Sequence, residues 1–174
     1  MKKIHLHVKF IHKLLLYALV FFLFACQNYN YEITVAEGNK INSEYLQKAE
    51  DPEIALICMY LYAYGNECKK DTSALKCNIL KSLHIDNECN TQHVEFLKKW
   101  FITNELMLIK LQKCPNLPYN FAIQNHIEKI GIIKHKDTLT IVFNVKGVNE
   151  SQEKTWEFAQ KDKYIVKNKT LLKI

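Results

Sequence analysis

The amino-acid sequence predicts an α+β fold in which N-terminal helices pack on a C-terminal antiparallel meander of three to four strands. Three observations carry this expectation. Apolar residues recur at helical spacing between about Ser43 and Lys113. Two prolines, Pro115 and Pro118, then stop the helical pattern, because proline lacks the amide donor and crowds the preceding turn. Beyond Pro118 the period changes to the alternation of strands, and helices followed by consecutive strands are the signature of an α+β domain.

The chain opens with Lys2, Lys3, Lys9 and Lys13 and no acid, followed by the apolar run from Leu14 to Ala25. A charged start and a short apolar run make a secretory signal, and the run is well short of the roughly 20 residues that span a bilayer. It ends at Leu23-Phe24-Ala25-Cys26, which resembles the lipobox of bacterial lipoproteins: a branched apolar residue, a small residue and then cysteine. The resemblance implies cleavage before Cys26, diacylglycerol on its sulfur and an acyl chain on its new amine. Two or more chains anchor stably where one does not. The expected address is therefore the bacterial cell envelope. By analogy with lipoprotein sorting, Gln27 in place of Asp favours the outer membrane.

After the signal peptide, residues 1–25, the stretch 26–42 is rich in Asn and shows no sustained period, so it reads as a flexible tether. Residues 43–174 read as a single α+β domain. Ser43 and Glu44 suit a short turn, and Asp51-Pro52-Glu53 opens a helix to about Tyr64, since proline is tolerated in the first turn and acids suit its positive end. Residues 54–63 of that helix are apolar on nearly every side, as in a buried helix, and Gly65-Asn66 ends it. Asp71-Thr72-Ser73 caps a helix to about Leu83, Asn90-Thr91 caps another, and Thr103 caps a third after a bend. The expected strands are Ile127–Lys134, Leu139–Lys146, Lys154–Ala159 and Tyr164–Lys167. Their connections lie at 135–138, 147–152 and 160–163.

Charge narrows the function classes. The formal net charge is +6, but four of the 24 lysines and none of the 18 acids precede Cys26, which leaves 20 lysines against 18 acids, or +2. There is no arginine for bidentate phosphate or guanine contacts, so nucleic acid is not an expected partner. Only four glycines occur, without a phosphate-binding loop, a G-x-S-x-G or an H-E-x-x-H motif. No catalytic set, cofactor or resident metal is expected.

Phe96-Leu97-Lys98-Lys99-Trp100-Phe101-Ile102-Thr103-Asn104-Glu105-Leu106, with the later Thr155-Trp156-Glu157-Phe158 and Lys163-Tyr164-Ile165-Val166, resembles small envelope lipoproteins with a nuclear-transport-factor-two-like fold. The resemblance covers about residues 91 to 168. It implies a helix leading into a curved sheet with a cone-shaped pocket. Tyr164 stands where that family usually carries Trp, and the five cysteines after Cys26 are foreign to its pattern.

Outside the cytoplasm cysteines are read first as disulfides. Five is an odd number, and Cys58, on the most apolar helix, is the expected free buried thiol. Cys68, Cys77, Cys89 and Cys114 remain as disulfide candidates, with 68–114, or 68–77 beside 89–114, both open. His84, Asp86, Glu88, Cys89 and His93 concentrate metal-ligand types, and Cys89 with His93 has i, i+4 spacing. The spacings to Cys68 and Cys77 match no zinc motif, so the set reads as a solvated loop.

His126 and Glu128, at i and i+2 of a strand, would share a face and form an acid/base pair, while His135 and Asp137 fall at a turn. The favoured reading is an outward polar face with Ile127 and Ile133 turned inward. Trp100, Phe143, Trp156 and Phe158 are the candidate lining of an apolar ligand pocket. The expected function is a membrane-anchored, non-enzymatic binding domain for a small ligand or a protein partner. The alternative is an immunity or inhibitor protein acting on a toxin or hydrolase outside the cytoplasm.

Overall fold

Seven consecutive side chains, Ala55 to Leu61, are fully buried in the helix Asp51–Tyr64, which is the centre of the molecule's core. A helix apolar on all sides must be covered on all sides, and the rest of the chain supplies that cover. The computed structural model describes residues 31–64, 75–85, 90–112 and 123–174. Its helices are α1 (Ser43–Lys48), α2 (Asp51–Tyr64), α3 (Leu75–Ser82), α4 (Thr91–Trp100) and α5 (Glu105–Gln112). Its strands are β1 (Glu32–Glu37), β2 (Lys40–Ile41), β3 (Ile123–His135), β4 (Thr138–Asn149), β5 (Lys154–Lys167) and β6 (Thr170–Lys173). They form one antiparallel sheet in the order β2-β1-β3-β4-β5-β6. Helix α2 packs on β3, β4 and β6, with α4 and α5 against it, while α3 covers β1 and β3. The α+β class expected from the sequence is the class observed.

The helix starts follow their local chemistry. The Glu50 amide donates to Glu53 Oε2 at 2.9 Å, the reciprocal half of a capping box at the start of α2. Glu53 is only 3% exposed, and Tyr45 OH at 2.9 Å and Lys134 Nζ at 3.4 Å satisfy its remaining acceptor positions. Asn90 caps α4 by accepting from the Gln92 amide. The cap of α5 is Asn104, accepting from Met107, one residue past the expected Thr103.

Three features of the sheet correct the sequence reading. The stretch expected to be a tether, 26–42, enters the sheet, because Glu32–Glu37 pairs with β3 and turns back at Gly38 into β2. Gly38 adopts φ +57 and its amide donates to Glu128 O at 2.8 Å, fixing the hairpin to the sheet. The expected break at 160–163 does not exist: β5 runs unbroken for 14 residues, and a further strand, β6, follows a turn at Asn168 and Lys169 with positive φ at both residues. The strand count is therefore six, not three to four. Finally, a β-bulge between Ile127 and Lys129 reverses the alternation of β3. Ile127, Ile130 and Ile132 are buried under the helices, whereas Ile133, expected to share the face of Ile127, pairs with Thr140 on the other face.

Candidate functional site

Along β5, Trp156, Phe158, Gln160, Asp162, Tyr164 and Val166 project to the helix-covered side, because they pair with Gly147, Val145, Phe143, Ile141 and Leu139 of β4 and with Leu171 of β6. This row is aromatic at one end and polar at the other.

At the aromatic end, the Trp156 indole lies flat on Gly147, where an added Cβ would stand 1.9 Å from the indole Cε2. A glycine is needed there because any side chain would displace the ring. The Tyr64 ring of α2 lies 5.1 Å from that of Phe143 and 5.9 Å, edge to face, from that of Phe158. Tyr60, one helical turn before Tyr64, stacks 5.8 Å from Phe143. Trp156 remains half-buried and Phe158 is 36% exposed, so the lane is reachable from solvent.

At the polar end, Tyr60 OH and Gln160 Nε2 both donate to Asp162 Oδ2, and Lys173 Nζ of β6 reaches Asp162 Oδ1 at 2.8 Å. With its proton given to Asp162, Tyr60 accepts from Tyr164 OH at 2.8 Å. Tyr164 in turn packs edge to face on Phe101, 6.2 Å away. Burial raises the Asp162 pKa, but hydrogen bonds from Lys173, Tyr60 and Gln160 and the charge of Lys173 outweigh it and hold the carboxyl below its usual range. Burial likewise pushes Tyr164 up to about 12, and it raises Tyr60 as well. A carboxylate with both oxygens occupied and a lowered pKa is a poor general base. Its chemistry is to hold a cation and to fix two tyrosines.

The sequence-derived candidates divide as follows. Phe143, Trp156 and Phe158 lie on the lane. Trp100 does not: it is a core residue of α4, and its neighbour Phe101 makes the contact with the polar end. His126 pairs in register with Lys146 on the face away from the helices, and Glu128 is the extra residue of the bulge. The same-face alternation required of an acid/base pair is therefore interrupted between them. His135 and Asp137 flank the β3–β4 turn, where the Asp137 carbonyl accepts from Val166 N.

Cys58 is free and fully buried, and burial pushes its thiol pKa up to about 12. Cys77 is disulfide-bonded. Cys26, Cys68, Cys89 and Cys114 lie outside the described residues, as do Asp86 and Glu88. Of the remaining metal-ligand candidates, His84 is exposed, and His93 shares a 2.9 Å hydrogen bond with Tyr62 OH while burial lowers its pKa. Among the described residues no group of three or more His, Cys, Asp or Glu is arranged to hold a metal ion. No described helix is long and apolar enough to cross a membrane.

Tyr60, Gln160, Asp162, Tyr164 and Lys173 escaped the sequence reading as a site. The available signal was parity: Trp156, Phe158, Tyr164 and Val166 all fall on even positions, as they do only if the strand continues through the polar Gln160 and Asp162.

Fold and site together define an α+β domain with an aromatic lane on the helix-covered side of its sheet. No family model matches the chain, and no curated protein or solved structure is significantly similar to it.

Proposed function

We propose that the protein is an envelope lipoprotein, anchored through Cys26 and probing its surroundings with a non-enzymatic binding domain of nuclear-transport-factor-two-like type. The observation that carries the binding reading is the solvent-reachable aromatic lane of Trp156 and Phe158, backed by Tyr64 and Phe143. Large aromatic faces left in contact with water cost free energy that a ligand's apolar surface recovers, at about 25 cal/mol per Å² covered. Lys173 and Asp162 at the far end give the lane a polar terminus, suited to a ligand with an apolar body and a polar head. The anchor reading is supported by the charged leader, the short apolar run and the Leu23–Cys26 tetrapeptide.

The binding reading is tested with anilinonaphthalene sulfonate, an aromatic dye with a charged head. The wild-type protein is expected to enhance its fluorescence saturably, and Phe158→Ser to weaken binding about tenfold, the effect of losing one buried aromatic contact. Equal binding by the wild type and Phe158→Ser, with unchanged thermal stability, would remove the lane from the proposal.

A further inference from the structure

Strand β5 is 14 residues long, but β6 pairs only with Tyr164–Lys167 at its end. The edge of β5 from Lys154 to Lys161 thus has no strand partner among the described residues. The direction of its free backbone groups follows from one hydrogen bond: Ile174 N donates to Lys163 O at 2.9 Å on the β6 side. In an antiparallel strand the N–H and C=O of one residue point the same way, and the direction alternates along the chain. The backbone groups of Thr155, Glu157, Ala159 and Lys161 therefore point outward, while those of Trp156, Phe158 and Gln160 are spent on β4.

An outward ladder of this length is a ready template for another strand. Lysines on an edge normally repel such pairing, and here Lys161 and Lys163 would repel most approaches. One alignment reverses the sign. If a second copy pairs antiparallel about Ala159, each Glu157 stands opposite a Lys161 of the other copy, Ala159 meets Ala159, and all three pairs join outward-pointing residues. Glu157 already lies 3.4 Å from Lys146 of its own chain, so the incoming lysine would complete a row of alternating charge. The small Ala159 side chain leaves the two strands free to approach on the two-fold axis.

We propose that this edge is the homodimer interface of the protein, with two copies of β5 joined antiparallel about Ala159 into one continuous sheet. The partner is a second copy because the charge pattern of the strand is complementary to itself in the only register that its backbone directions and the end of β6 leave well paired.

The test uses full-length protein in the membranes of expressing cells, with Ala159→Cys or Thr155→Cys, oxidised by copper phenanthroline and compared with the wild type on non-reducing gels. Directly opposed hydrogen-bonded residues have Cα atoms about 5.5 Å apart, within disulfide reach, whereas Thr155 faces Lys163 and stands far from its own copy. Ala159→Cys is expected to give a covalent dimer beyond the wild-type background, and Thr155→Cys is not. Adding Glu157→Lys to Ala159→Cys is expected to lower the dimer at least about fivefold, and adding Lys161→Glu as well to restore it. The restoration shows that the single charge change had not unfolded the chain. Absence of the Ala159→Cys dimer, equal dimer at Thr155→Cys, or indifference to the charge exchange would each overturn the proposal.

Discussion

Asp162 occupies a strand position whose neighbours along the same face are aromatic, and its side chain is only 11% exposed. Three donors make that placement tolerable, so removing the charge leaves Lys173 and the tyrosine pair without their acceptor. Asp162→Asn is expected to cost about 1–3 kcal/mol at neutral pH, read by chemical denaturation. The sign of its pH dependence is fixed. The folded-state pKa lies below the unfolded one, so the carboxylate's contribution is complete above about pH 4 and is lost as the pH falls through the folded value. The stability gap between wild type and Asp162→Asn should therefore close in acid. A gap of the same size at low pH would mean that the group acts by shape and not by charge. Tyr164 works at the other limit. Its pKa is pushed up to about 12, so the stability it contributes is complete below the ordinary tyrosine value of about 10 and is lost as the pH rises through about 12.

At the scale of elements, the legible parts were those whose local chemistry agreed with their place in the fold. Asp51-Pro52-Glu53 and Asn90 start helices as their side chains dictate, and the unbroken apolar character of residues 54–63 foretold a helix with every side buried. The parts that were missed are those where tertiary contacts override the local pattern. Gln160 and Asp162 look like a turn only because their partners, Tyr60 and Lys173, are distant in sequence. Glu32–Glu37 is short, carries an acid at each end, and becomes a strand by pairing with residues nearly a hundred positions away. The bulge at Glu128 has no marker in the sequence, although it decides which isoleucines are core. Deleting Glu128 would restore simple alternation and turn Ile127, 7% exposed, away from the helices. Loss of about 2–3 kcal/mol is expected, the value of burying one isoleucine, again measured by denaturant titration. A deletion variant as stable as the wild type would show that the bulge does not set the register of the core.

At the scale of the whole molecule, the sequence foretold the class of the fold, a free buried Cys58 and three of the four lane residues. It did not foretell the polar end of the lane, which exists only once β5 is continuous and β6 is beside it. The sheet's start at Glu32 also shortens the expected stand-off: five residues separate Cys26 from β1, an extended reach of about 20 Å. A domain tied so closely to a lipid would work at the membrane surface, on ligands or partners that reach it there. The central claim, an anchored binding domain, stands first on the anchor. It is tested most directly by intact-mass and peptide-map analysis of the membrane fraction, with and without reduction. The expected result is a chain beginning at Cys26 and carrying acyl chains on that residue, with Cys77 in a disulfide and Cys58 as a thiol. An intact leader, or a mature chain whose Cys26 is unmodified, would contradict it.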